Sequence, residues 1–161
     1  MNKTPPIFDV KIIDFKEVKV AVIEHRGAAR LLGNSIRQFI EWRKTNRLPP
    51  KISRTFNLVY DDPRVTADED YRFDLCASVT SEVENKLDGI VNKVIPKGRC
   101  AVIRHIGSDE LMSTAIEYLY SDWLEISGEV LRDFPLFFER VSFFPDVAEV
   151  DMITDICLPI K

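Results

Sequence analysis

The residues best suited to chemistry in this chain gather around one short apolar segment, Leu136-Phe137-Phe138-Glu139-Arg140-Val141-Ser142-Phe143. Side chains alternate across a strand, so Phe137, Glu139, Val141 and Phe143 are expected on one face. A carboxylate among aromatic rings is costly when charged and unpaired, or else takes up a proton. Two arrangements relieve that cost. Glu139 pairs with an arginine such as Arg104 or Arg140, or it recognises a cationic ligand inside an aromatic pocket. Tyr118, Tyr120 and Trp123 lie just upstream, and their ring faces attract cations while their bodies stay apolar. With Phe137 and Tyr60 they complete a candidate ligand site for a small, apolar, cationic molecule. Catalysis, if present, has to run through Glu139 with Tyr118 or Tyr120 as acid and base. The chain has no Ser-His-Asp order, no phosphate-cradling glycine loop and no Cys/His cluster with metal spacing, so neither a metal nor a cofactor is expected.

His25 and His105 read differently. They occupy matching places in two segments that align without a gap, Val20-Ala21-Val22-Ile23-Glu24-His25-Arg26-Gly27 and Cys100-Ala101-Val102-Ile103-Arg104-His105-Ile106-Gly107, offset by 80. Further on, Trp42 meets Trp123, Phe56 meets Phe137, Asp74 meets Asp155 and Cys76 meets Cys157, offset by 81. A histidine repeated with the architecture serves the architecture more readily than a unique active centre. Two copies are too few for a solenoid. They predict one pseudo-two-fold domain over 1–161, with repeats over roughly 7–80 and 89–160 and a linker at 81–88. A ligand groove is then expected between the halves, where the copies differ. Glu139, which stands where the first copy has Leu58, is the sharpest difference.

Each repeat must position these residues with the same elements. Phe8–Ile13 and Val18–Glu24 read as strands from their period-two alternation. Leu32, Ile36, Phe39 and Ile40 form the stripe of an amphipathic helix from Ala29 to Thr45, stopped by Leu48-Pro49-Pro50. Phe56–Tyr60 and Tyr71–Val79 follow as strands around an Asp61-Asp62-Pro63 turn. In the second copy Ile90–Ile95 and Arg99–His105 read as strands. A helix then starts at an N-cap Ser108, buries Leu111, Met112, Ala115, Ile116, Leu119 and Trp123, and ends at Gly128. Leu136–Phe143 and Asp151–Leu158 are the last strands. Ser81–Asp88 shows no clear periodicity beyond the chance of a short helix. The implied class is α+β, a duplicated strand-strand-helix-strand-strand unit with antiparallel sheets and one main helix per half.

Composition narrows the partners. At 161 residues, 45% hydrophobic and 30% charged, the chain can bury a real core. A net charge of −4 disfavours nucleic acid as a direct partner. Cys76, Cys100 and Cys157 sit in apolar runs and read as buried strand thiols. No signal pattern or membrane-length apolar run is present, so a cytoplasmic protein without a membrane partner is expected.

Several segments together resemble the gyrase-inhibitor-like (GyrI-like) small-molecule-binding family. They are Ala21-Val22-Ile23-Glu24-His25-Arg26-Gly27, the Tyr60-Asp61-Asp62-Pro63 turn, Tyr118-Leu119-Tyr120-Ser121-Asp122-Trp123-Leu124, Ser127-Gly128, Phe138-Glu139 and Asp155-Ile156-Cys157-Leu158-Pro159-Ile160. The resemblance implies the fold of the effector-binding domain of AraC-type and MerR-type multidrug-responsive regulators. It also implies Glu139 as an acidic pocket residue, with Trp123 and Tyr118 or Tyr120 as an aromatic wall. Ala28-Ala29 departs from the family, which often carries an aromatic after the Arg-Gly pair. With no helix-turn-helix extension, a stand-alone sensor or sequestering module is expected. The alternatives are a hydrolase of reactive electrophiles and a protein that contacts DNA gyrase.

Overall fold

The computed structural model describes residues 8–84 and 89–161. The first half supplies β1 (Val10–Phe15), β2 (Val18–Arg26), α1 (Leu32–Thr45), β3 (Thr55–Val59) and β4 (Arg72–Ser78). The second supplies β5 (Ile90–Ile95), β6 (Gly98–Ile106), α2 (Met112–Glu117), a π-helical turn over Tyr118–Trp123, α3 (Leu124–Ser127), β7 (Leu136–Ser142) and β8 (Ile153–Pro159). Residues 81–84 are irregular; the remainder of the expected linker, 85–88, lies outside the described residues.

The α+β class holds, and the strands form a single eight-stranded antiparallel sheet where separate sheets were expected. Its order is β1-β6-β8-β7-β3-β4-β2-β5. Exchanging each strand for its repeat partner turns that order into its own reverse, so the pseudo-two-fold axis passes between β3 and β7. The halves also trade first strands: β1 pairs with β6, and β5 with β2.

Lys16-Glu17 alone joins β1 to β2, although β1 is one edge of the sheet and β2 is next to the other. Such a link spans only about 10 Å, so the sheet curls until its edges approach. Its two faces are therefore unlike. The enclosed face packs Phe15, Val20, Val22, Phe56, Leu58, Phe137 and all three cysteines. There the ring of Phe15, from the edge, lies 5.0 Å from that of Phe137 on a central strand. Burial pushes the Cys76 and Cys157 thiols well up, away from reactive thiolate. The other face carries the helices. Phe39 and Trp42 of α1, and Met112, Ala115 and Leu119 of the second helix run, pack with Ala21, Ile23, Phe73, Leu75, Phe138 and Ile156.

The strand-to-helix turns explain the repeated His-x-Gly. Gly27 (φ 123°) and Gly107 (φ 128°) hold a backbone that side chains resist. His25 donates from Nε2 to the Ala28 carbonyl at 2.9 Å, which leaves Nδ1 to accept from Ser35 Oγ at 2.7 Å. His105 likewise donates to the Ser108 carbonyl at 2.8 Å. Each histidine ties the end of a strand to the entry of a helix. Ser108 thus serves through its carbonyl, and its side chain makes no capping bond.

The offset of 80 at Gly27/Gly107 becomes 81 at Trp42/Trp123. The extra residue of the second copy therefore lies between 107 and 123, and the π-helical turn Tyr118–Trp123 falls in that interval. A single inserted residue is accommodated in a helix as such a turn, often at a functional site.

Candidate functional site: a groove between the helices and the sheet

Both helices carry more apolar surface than the core consumes. On α1, Phe39 and Trp42 face the sheet, while Ile36 and Ile40 remain 38% and 44% exposed. On the second helix run Leu119 is buried, while Tyr120 remains 43% exposed. These surplus groups converge. Ile36 and Ile40 form one wall, Ile116 and Tyr120 the opposite wall, and Phe73 and Phe138 the floor of a cavity of roughly 1360 Å³. Phe143 and Phe144, from the loop after β7, close one side. The volume exceeds the ~300–1,000 Å³ common for small-molecule sites, so the groove has room for a multi-ring molecule. Desolvation raises the pKa of Tyr120, whose phenol therefore stays protonated and neutral.

The charges lining the groove are mostly spoken for. Arg64 pairs with Asp62 and with Glu117 at 3.0 Å each, bridging the β3–β4 loop to α2. Asp61 accepts from the Arg72 backbone at 2.8 Å and from its guanidinium at 3.0 and 3.1 Å, contacts that hold its carboxyl below the usual range. On the floor, Arg140 donates to Asn57 Oδ1 at 2.8 Å, Asp109 at 2.7 Å and Thr154 Oγ1 at 3.2 Å. Arg43 differs. It is buried, and its guanidinium donates to the Leu48 carbonyl (2.7 Å), Thr55 Oγ1 (2.6 Å) and the Ser53 carbonyl (2.8 Å), all neutral oxygens. Burial without a carboxylate lowers its pKa to about 10.

The expected site residues divide. Tyr120 and Tyr60 line the groove. Tyr60 stands at its end, donating to the fully buried Asp74 at 2.9 Å, with Arg26, Arg72 and Lys93 over its ring. Glu139 and Phe137 do not line it. The pleat sends them to the enclosed face, where Arg54 grips Glu139 through Nε (2.8 Å) and Nη2 (2.9 Å). Arg54 is therefore the partner, where Arg104 or Arg140 was expected; Arg104 pairs with Asp155 instead. Tyr118 packs on Phe8 with ring centroids 5.1 Å apart, and Trp123 packs on the helix-side core, both away from the groove lining. Phe143 was expected beside Glu139. A register irregularity between Arg140 and Ser142 ends the alternation, and Phe143 joins Phe138 along the groove.

Groove residues that the sequence does not assign to a site include Phe138 and Arg140, on the other side of the Glu139 strand, and Ile36, Ile40 and Arg43 on α1. A signal for them existed. Arg43 continues the stripe Ile36, Phe39, Ile40 at helical spacing, and a stripe ending in a cation is wider than packing on one sheet requires.

The chain is similar to known proteins at two levels, sequence and fold. The Escherichia coli (strain K12) protein "Probable transcriptional regulator YgiV" is 38% identical over 153 residues, spanning 94% of this chain and 96% of that one. The EcmrR C-terminal domain superposes with a TM-score of 0.77 at 16% identity, over 97% of this chain and 99% of that one. SAV2435, solved bound to tetraphenylphosphonium, superposes with a TM-score of 0.61 at 11% identity, over 95% and 94%. The family model of the GyrI-like small molecule binding domain matches residues 8–161, and the chain belongs to that family.

Proposed function

We propose that this protein binds bulky, largely apolar and aromatic small molecules in the groove between its helices and sheet, as a sensor or sequestering module. The observation that carries the reading is the convergence of Ile36, Ile40, Tyr120 and Phe144, four exposed apolar side chains, on one cavity. Monomeric proteins seldom leave such surface open without a partner for it. The family membership supports the class of function. The four-ring ligand of SAV2435 supports the bulk, and the description of YgiV as a transcriptional regulator supports a sensing role. A cation held by Glu139 is not part of this reading, because that carboxylate is gripped by Arg54 on the far face. A hydrolase working through Glu139 with Tyr118 or Tyr120 is likewise not part of this reading, since Glu139 lies on the face opposite the groove that Tyr120 lines.

The test is fluorescence titration with 1-pyrenebutanol, a neutral four-ring probe. Ile40 is already solvent-accessible, so Ile40→Asp places a charge in the groove wall at little cost to folding. At least tenfold weaker binding by a variant that melts like the parent is expected. Unchanged affinity would place the probe, and the function, elsewhere.

A further inference from the structure

Thr55 and Arg140 are direct partners across the β3–β7 pair, so their side chains share the groove face about 5 Å apart at Cα. Arg43 reaches Thr55 Oγ1 from α1, so two guanidinium groups line the groove floor beside the pseudo-two-fold axis. Each also lies over a phenyl ring of the lining, Arg43 over Phe39 at 5.3 Å and Arg140 over Phe138 at 5.0 Å. Among the described residues, one carboxylate hydrogen-bonds to either of these guanidinium groups. It is Asp109, half-exposed at the entry of the second helix and bonded to Arg140 alone. A guanidinium has five N–H donors. Arg43 uses three on neutral oxygens, and Arg140 Nη2 makes no hydrogen bond among the described residues. Lys44 and Arg47, at the end of α1, also line the groove, as does Asp146 from the loop after β7, and Lys44 lies 3.8 Å from Glu41.

From this juxtaposition we infer that the groove selects amphiphilic anions: molecules with an aromatic or aliphatic body for the walls and one acidic group, such as a carboxylate or sulfonate, for Arg43 and Arg140. The inference rests on the groove being the binding site and adds the charge of its ligand. A carboxylate there replaces or joins Asp109, and its hydrogen bonds are charge-assisted and sheltered from water, so they discriminate strongly. Arg43 also clamps the 48–55 segment to α1. A purely structural arginine makes the same clamp but gives no preference for ligand charge, which is what the experiment reads.

Three probes with one pyrene body and one tether separate the possibilities: 1-pyrenebutyrate, 1-pyrenebutanol and the corresponding pyrenebutyl-trimethylammonium. With the unmodified protein, the butyrate is expected to bind at least tenfold tighter than the alcohol and tighter still than the ammonium. In Arg140→Gln that butyrate-to-alcohol ratio is expected to fall below about threefold. Arg43→Gln gives the same narrowing and serves as the second variant if the first does not fold. Equal affinity for acid and alcohol, a preference for the ammonium, or a ratio unchanged in a folded variant overturns the anion assignment while leaving the groove as a binding site. Failure of all three probes to bind overturns the groove reading itself.

Discussion

Glu139 and Arg140 are successive residues of β7, and the pleat sends one carboxylate to the enclosed face and one guanidinium to the groove. A sequence shows that both are present but not which side the helices cover. Alternation fixes which residues share a face; long-range packing alone decides which face is wet. Glu139 stands where its repeat counterpart is Leu58, and that asymmetry is real. Its cause is Arg54, whose fork closes on Glu139 and whose guanidinium lies 4.9 Å over the Phe56 ring. Replacing Glu139 by Gln is therefore expected to cost about 1 kcal/mol of stability, a partly exposed pair, and to leave the affinity for 1-pyrenebutanol within twofold. Chemical denaturation and titration of the same sample check both; a tenfold loss of affinity at unchanged stability would return Glu139 to the site. His25→Ala is expected to cost about 1–2 kcal/mol by leaving a buried carbonyl and hydroxyl unanswered, again read by denaturation. A variant as stable as the parent would remove the tether argument.

At the level of elements, the sequence exposed more than it did for single residues. The strands, the two helix runs and the Gly27/Gly107 turns all follow from periodicity and repeat, because local pattern and repeated spacing reinforce each other. Even the π-helical turn left a trace, the change of offset from 80 to 81 between Gly107 and Trp123. The helix faces were harder to read. Ile36 and Ile40 belong to the same apolar stripe as Phe39, and periodicity does not divide a stripe between core and cavity. Deleting Asp122, an exposed residue of the π turn outside the groove lining, removes the extra residue. A continuous α-helix, equal or higher melting temperature and weaker binding of 1-pyrenebutanol are expected from the re-aimed Tyr120. Circular dichroism melting with titration checks this; unchanged affinity would make the π turn irrelevant to the site. Asp61 belongs to this scale too, since it joins the end of β3 to Arg72 at the start of β4. Its carboxyl is held below the ordinary value of 3.8. A group with a lowered folded value stabilises above the unfolded value and loses that contribution as pH falls through the folded one. Asp61→Asn is therefore expected to lose stability near neutrality, with the gap to the parent starting to close only below about pH 4 and vanishing below the lowered folded value, measured by melts across pH.

For the whole molecule, duplication supplies a symmetric sheet with its axis between β3 and β7, and the groove lies over that axis with one helix on either side. The copies then diverge along the lining: Asn57 answers Phe138, Val59 answers Arg140, and the second helix gains a residue where the first has none. The fold is carried by what the repeats share and the ligand by what they do not. In the proposed function an apolar ligand occupies this groove. The most direct measurement is methyl NMR of isoleucine-labelled protein titrated with 1-pyrenebutanol, whose ring currents shift only nearby methyls. Shifts are expected at Ile36, Ile40 and Ile116, with Ile95 on the enclosed face and the exposed Ile52 unmoved. Shifts at Ile95 without shifts at Ile36, Ile40 and Ile116 would contradict it.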